Sequence, residues 1–498
     1  MVFSQNHKWT VDCPEGEKIT VDWEIINAGQ ALYLLAVSFY IFFFCLFVRY
    51  FFWMAYSYRF YWRKRKRLNL TRDKVISLAR EKKSELPFFS ILVPARNEAE
   101  VIANTIEHLA SLNYPKERYE ILVITDEKEA LAKDAGDHQG PTTMEVVESK
   151  IKEFRKRKGV PQLKHCTVPY DFDGRYRGIR KKGHWVPSTK GRALNYGLEF
   201  VDPRTTICGF YDAESHPEKD VLLYIAWSWL QDPRERIWQG PVFQVRNFYK
   251  LGPICKIAAI YQALSHEIYL PVLMKKLPFV GGTNLFISRT LIEKIRGYDH
   301  KSLTEDLELG VRAYLETGVW AEYFPYYSTE QTPATYRAYF RQRLRWGSGH
   351  LQVCEKFRFA YQYSWEKLGP ILKNLHWKGQ GEWLLYQCAV FVPIFFLFLS
   401  LNGYLDTSIL PIGLRQKLYY LILVYFAFTF YAYMHFSPLM EPVGLWKRLE
   451  GALQLLTLPV SSFFLPFPFT AASILKVLNR QPQTWVKTPR TRESNSLV

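Results

Sequence analysis

Apolar residues fall along this chain in two rhythms. Three runs are almost unbroken: Leu32 to Val48, continuing past Arg49 to Met54, then Leu384 to Leu401, and Leu418 to Met434. At 1.5 Å of rise per residue, helices of this length suit a hydrocarbon layer about 30 Å thick, so each run predicts a transmembrane helix. A fourth apolar stretch, Gly451 to Leu478, carries Pro459, Pro466 and Pro468. Proline lacks the amide donor and clashes with the preceding turn, so this stretch predicts a re-entrant or broken segment.

From Leu86 to about Tyr327 the rhythm shortens. FFSILV (Phe88 to Val93), EILVIT (Glu120 to Thr125) and TICGFY (Thr206 to Tyr211) read as strands, with a helix predicted from Ala99 to Leu112. The alternation predicts a parallel α/β sheet of the nucleotide-binding kind, with polar residues at the carboxyl ends of its strands. Asp134 to Lys190, rich in Lys, Arg and Gly, is expected as an irregular surface insertion.

Charge orients this arrangement. The 498 residues carry a formal charge of +18, and the densest basic block, Arg59 to Lys74, follows the first apolar run. Asp12, Glu15, Glu17, Asp22 and Glu24 precede that run. The asymmetry places the N-terminus outside and the middle of the chain in the cytoplasm of a multi-pass protein of the plasma or inner membrane. No nucleic-acid-binding motif accompanies the charge, so no nucleic-acid partner is expected. The seven cysteines form no CxxC pair and imply neither zinc nor a disulfide framework.

The expected organisation is an extracytoplasmic segment (1–30), a transmembrane helix (31–54), a basic linker (55–86), a cytoplasmic catalytic domain (87–330), interfacial amphipathic helices (331–380), transmembrane and re-entrant segments (381–478) and a basic cytoplasmic tail (479–498). In the interfacial part, Tyr336, Tyr339, Phe340 and Leu344 supply the apolar face.

Two acidic groups are candidate chemistry. Asp212 and Glu214 follow a predicted strand, and in an extended chain both carboxylates share one side, an arrangement that suits Mg²⁺ or Mn²⁺. In LTEDLELGVRAYL, Thr304 is placed to cap a helix with Leu307, Val311 and Leu315 on its apolar face, leaving Glu305 and Asp306 in the first turn. Taken singly, either group is also what a solvated loop or an ordinary helix start looks like.

Read in order, however, VPARNE (Val93 to Glu98), ITDEKE with Asp126, KGRALN (Lys190 to Asn195), DAE (Asp212 to Glu214), FVGGTN (Phe279 to Asn284), TED (Thr304 to Asp306) and QRLRW (Gln342 to Trp346) resemble the motif series of family 2, GT-A-fold glycosyltransferases. Within that family they resemble the membrane-integrated synthases of cellulose, hyaluronan and chitin. The resemblance implies an α/β GT-A domain joined to transmembrane and interfacial helices, and an inverting transfer from a nucleotide-sugar donor, a UDP-sugar in the first instance. It assigns the donor to Pro94, Arg96, Glu98, Asp126, Lys190, Asp212, Gln342, Arg343 and Arg345, and the metal to Asp212 and Glu214. Asp306, with Glu305 beside it, becomes the general base. Gly281, Gly282, Thr283 and Trp346 fall on the acceptor side, and Trp485 and Lys487 in TWVKTPR on a gating loop. DAE stands where DxD is commoner, and ITDEKE where a double aspartate is frequent.

The implied acceptor is a growing β-linked polysaccharide, with the lipid bilayer and accessory export proteins as further partners. A single transfer to a membrane lipid, giving a glycolipid, is the alternative acceptor. A catalytically silent sensing or assembly protein is the alternative of another class.

Overall fold

The computed structural model describes residues 8–12, 18–22, 28–403, 410–480 and 491. The chain divides into two compact units, Met1–Val48 with Ala389–Tyr425, and Arg49–Cys388 with Phe426–Val498. In the smaller unit Lys8–Asp12 and Lys18–Asp22 form an antiparallel hairpin, Lys8 opposite Asp22. Nothing in the apolar rhythm announced it. The Tyr425 hydroxyl donates to the Phe43 carbonyl at 2.9 Å.

The larger unit is built on seven strands: β1 (Phe89–Pro94), β2 (Tyr119–Asp126), β3 (Gln162–Val168), β4 (Ile207–Phe210), β5 (Ile237–Gln239), β6 (Leu285–Ser288) and β7 (Ala321–Tyr323). Their order across the sheet is β7-β5-β6-β4-β1-β2-β3. β4, β1, β2 and β3 run parallel, whereas β6 is antiparallel to β4 and to β5, so the sheet is mixed rather than wholly parallel. Buried aliphatic and aromatic side chains cover both faces, which is why β1 and β2 read as continuous apolar runs.

The stretch expected as a surface insertion proves to be only partly irregular. It contains the helix Thr143–Phe154 and the edge strand β3. Thr142 caps that helix with a reciprocal bond pair to Glu145. The polar residues of QLKHCTV hid the strand, because an edge strand has less apolar surface to bury.

Among the described residues, three helical segments are long and apolar enough to cross a membrane: Tyr33–Leu68, Ile412–Leu439 and Leu445–Val477. The run from Leu384 to Leu401 is also helical, within Glu382–Leu401. As the prolines require, the last apolar stretch is interrupted, by a 3₁₀ turn at Gln454–Thr457 and again at Pro466.

The helix Tyr336–Arg358, expected as an interfacial segment, packs against neighbours on two sides. Gly347 and Gly349 lie on opposite faces, being about 200° apart on a helix. A Cβ on Gly347 would stand 3.0 Å from Ala472, and one on Gly349 would stand 2.8 Å from the Thr304 hydroxyl and 3.0 Å from its backbone nitrogen. Tyr339 is buried on this helix, and the Tyr336 hydroxyl donates to the Phe464 carbonyl at 2.9 Å.

Candidate active site

Strand direction assembles the site. β1, β2 and β4 are parallel, so their carboxyl ends share one edge of the sheet, putting Pro94, Asp126 and the residues after Phe210 on that edge. Because β6 is antiparallel to β4, with Leu285 opposite Phe210, its entry loop lies at the same edge, beside Asp212.

That entry loop is FVGGTN, and it is tied down on all sides. Buried Gln239 accepts the Gly281 N–H at 2.7 Å and donates to the Thr283 carbonyl at 3.0 Å. The Thr283 hydroxyl accepts the Asp212 N–H at 3.2 Å and bonds the Ser215 hydroxyl at 2.8 Å. Asn284 donates to Pro241 and Tyr326 carbonyls and takes the Tyr211 hydroxyl at 3.0 Å.

Lys190 opens the helix Lys190–Gly197, whose first turn is capped by Thr189 accepting the Arg192 N–H. Its ammonium pairs with Asp212 and donates to the Gly282 carbonyl at 2.6 Å. A Cβ on Gly282 would stand 2.9 Å from that ammonium and 3.1 Å from Asp306 Oδ2. Thus Lys190, Asp212, Gly282 and Asp306 meet at one point. Burial works against the Lys190 ammonium, yet Asp212, Glu305 and Asp306 together hold its pKa above the ordinary value.

Asp306 lies in the first turn of Glu305–Thr317, and its Oδ1 accepts the Leu307 N–H at 2.8 Å. Thr304 occupies the cap position, but its hydroxyl makes no cap bond, contrary to expectation; the side chain faces Gly349 instead. The predicted apolar face is buried: Leu307, Val311 and Leu315 pack with Val353, Cys354 and Phe357. Burial, and then the neighbouring Asp306, raises the Glu305 pKa. Burial likewise raises Asp306, against the opposing pull of the Leu307 N–H, Lys190 and Arg345.

The loop before Glu305 is stapled to the QRLRW helix. Arg345 donates to the Leu303 carbonyl at 2.9 Å, and Gln352, outside the motif, accepts the Leu303 N–H at 2.9 Å. Arg343 lies elsewhere: it is buried, donates to Gln244 at 3.1 Å, and stacks 3.8 Å above the Trp346 ring, covering one face of the indole. Gln342 is buried too.

On the nucleotide side, Asp126 caps the helix Glu127–Asp134 through the Lys128 N–H and accepts the Ser188 hydroxyl at 2.6 Å. Arg192 lies 3.2 Å from it, both side chains more than nine-tenths buried. Burial lowers the Lys128 pKa to about 8, with Asp126 opposing and Arg192 and Arg96 adding to the fall. Glu129 accepts the Asn97 N–H at 2.7 Å, and the Glu98 N–H donates to Thr143 at 2.8 Å, so the VPARNE turn is anchored to the helices Glu127–Asp134 and Thr143–Phe154. Arg192, Lys128, Ser188 and Gln239 were not singled out from sequence. Arg192 and Lys128 at least stood inside quoted motifs, where an unpaired-looking charge was the available signal.

The metal ligands need correction in one respect. The chain turns at 212–215, with the Ser215 N–H on the Asp212 carbonyl at 3.0 Å, so the argument from an extended chain does not hold. Asp212 remains partly exposed, while Glu214 is buried to 1% exposure. Among the described residues no group of three or more His, Cys, Asp or Glu side chains converges on one point. Asp212 supplies the hard carboxylate oxygen that Mg²⁺ or Mn²⁺ takes, with a ligand's own oxygens able to complete the set. Trp485 and Lys487 lie outside the described residues. Nearby Thr491 exchanges bonds with Gln331, its N–H donating to Gln331 Oε1 and its carbonyl accepting from Nε2, both at 2.9 Å.

An α/β sheet whose carboxyl edge gathers spaced carboxylates around one lysine has its polar groups where sheets of this kind bind ligands. Residues 210–437 match the family described as glycosyl transferase family group 2, and the relatives that the chain resembles are named as glycosyltransferases or synthases. The match includes DAE, FVGGTN, TED and QRLRW. The chain is 31% identical to a probable glycosyltransferase, YdaM, of Bacillus subtilis over 58% of this chain and 61% of that protein. It is 25% identical to a beta-monoglucosyldiacylglycerol synthase of Trichormus variabilis (58% and 56%), and 24% identical to a probable glucomannan 4-beta-mannosyltransferase of Oryza sativa (59% and 46%). The matches thus span about half of each relative's length.

Proposed function

We propose that this chain transfers a sugar from a nucleotide-sugar donor, a UDP-sugar in the first instance, to a growing β-linked polysaccharide, with inversion at the anomeric carbon. The meeting of Lys190, Asp212, Gly282 and Asp306 carries the reading. Residues 87–330 form the catalytic domain on the cytoplasmic side of the plasma or inner membrane.

Asp306 accepts the proton of the acceptor hydroxyl as the hydroxyl attacks the anomeric carbon and the nucleoside diphosphate leaves. Its raised pKa strengthens it as a base. Lys190 stands beside it to meet charge growing on the leaving group, and Arg345 holds the loop that presents the base. Asp212 would hold Mg²⁺ or Mn²⁺, and such an ion would supply charge neutralisation of the leaving diphosphate. Arg96, Lys128 and Arg192 surround Asp126 on the nucleotide side.

A single transfer to a membrane lipid is the second reading. Two observations favour it: the relative named for monoglucosyldiacylglycerol synthesis, and Arg343 occupying a face of Trp346 on which a chain sugar would stack. Incubation of the purified full chain with Mn²⁺ or Mg²⁺ and individual radiolabelled nucleotide sugars, followed by sizing of the product, separates the two. Long polymer supports the first reading and a monoglycosylated lipid the second. Absence of turnover with every donor overturns both.

A further inference from the structure

Beside β7, the outermost strand of the sheet, a cavity of about 280 Å³ opens where the N-terminal membrane-length helix leaves its apolar stretch. Phe60, Tyr61 and Lys64 line it from that helix, Tyr224 and Trp227 from the helix Val221–Gln231, and Tyr323 from the edge strand β7. The helix does not pass the cavity regularly: Tyr58–Trp62 form a π turn, a rare feature that recurs at functional sites. The extra residue brings Phe60 and Tyr61 to the cavity with Lys64 one turn further on.

Most charges around the cavity are already neutralised. Arg65 pairs with Glu218 at 2.8 Å, Arg236 with Glu322, and Asp232 with Arg234 at 2.8 Å. Lys64 pairs with no carboxylate among the described residues, so the cavity carries one unmatched ammonium within an aromatic wall. Its depth also fits. Phe60 to Lys64 lie six to ten residues beyond Met54, where the apolar run ends, about 9 to 15 Å along a helix axis, from which the long Lys64 side chain can reach back to the headgroup layer.

We propose that this cavity binds the phosphate headgroup of an anionic membrane lipid, Lys64 meeting the phosphate and the aromatic rings enclosing the glycerol and first acyl carbons. The inference rests on the membrane placement of the helix and is independent of the transferase reading, because the test measures retained lipid and not turnover.

The full chain in detergent, examined by native mass spectrometry with dioleoyl phosphatidylglycerol or dioleoyl phosphatidylcholine, should retain the anionic lipid preferentially. Lys64→Glu should weaken that retention about tenfold or more, as loss of a charge-assisted contact requires. Lys66→Glu makes the same charge change on the same helix without lining the cavity and should leave retention unchanged. Equal losses in the two variants would point to diffuse surface charge and overturn the proposal, as would undiminished retention in Lys64→Glu. Equal retention of the two lipids also overturns it. Displacement of phosphatidylglycerol by millimolar inorganic phosphate would show a phosphate site with no preference for lipid, and overturn the lipid assignment.

Discussion

Two charged clusters share the carboxyl edge of the sheet, and they are built in opposite senses. On the nucleotide side Asp126 stands among three cations, Arg192 at 3.2 Å with Lys128 and Arg96 beyond it, and Asp171 is the further carboxylate acting on Arg192. On the acceptor side three carboxylates, Asp212, Glu305 and Asp306, surround one ammonium, Lys190, with Arg345 alongside. The first cluster is deficient in negative charge and closed by hydrogen bonds. The second has an excess of it, and burial raises the pKa of both Glu305 and Asp306, with Asp306 adding to the rise at Glu305. A site of this polarity suits an anionic donor at one end and, at the other, a cation and a proton to be removed.

The strongest test removes the base. Asp306→Asn keeps the side-chain volume and the bond from the Leu307 N–H, and should lower turnover by about 10²- to 10⁴-fold, the span for loss of a general base. Initial rates with radiolabelled donor check this; a rate within threefold of the parent would mean that the acceptor cluster does not deprotonate the hydroxyl. The nucleotide side should respond in stability first. Arg192→Met leaves Asp126 buried without its partner, a change costing about 3 to 5 kcal/mol, read as a fall in the thermal unfolding midpoint in detergent. Adding Asp126→Asn should recover part of that fall. If the double variant is no more stable than the single, the pair is not what holds this cluster.

The contrast between the clusters was half legible in the sequence. Asp126, Asp212 and Asp306 stood out because each ends a strand or opens a helix in a recognisable block. The strand rhythm around β1, β2 and β4 was equally plain, since buried parallel strands leave unbroken apolar runs. Arg192, Ser188 and Gln239 were not legible as site residues, because their partners lie from 42 to 66 residues away and nothing local marks a long-range hydrogen bond. The edge strand β3 was missed for want of apolar alternation. Nor could spacing show that Asp212 begins a turn, or that Thr304 gives up its capping bond to pack against a glycine.

That packing gives a third, smaller effect. Gly349→Ala places a methyl group 2.6 Å from Thr304 Cγ2, 2.8 Å from its hydroxyl and 3.0 Å from its backbone nitrogen, so turning the short side chain away still leaves the loop backbone in contact. Overpacking of this kind costs about 1 to 3 kcal/mol. Because the strain falls on the loop that presents Asp306, kcat should drop while KM for the donor stays near its original value. A raised donor KM at unchanged kcat would place the disturbance on the nucleotide side and break the division drawn between the clusters.

The smallest effect concerns pH. Glu305 and Asp306 titrate as a pair, so their protons leave in steps that belong to both. With both pKa values raised, the active, deprotonated base is lost as pH falls through a range above that of ordinary carboxylates, and the acid limb of kcat/KM should lie correspondingly high. Glu305→Gln removes one negative charge while Lys190 and Arg345 remain beside Asp306, which lowers the Asp306 pKa and should move the acid limb to lower pH. Stability runs in a consistent direction. A carboxyl group with a raised folded-state pKa binds more protons folded than unfolded, so its contribution falls as pH climbs from the unfolded value through the folded one. Glu305→Gln should therefore be more stable than the parent at neutral pH and no more stable near pH 4, as thermal unfolding at the two pH values would show. An acid limb that stays in place in Glu305→Gln would mean that the excess negative charge of the acceptor cluster does not set the ionisation of its base.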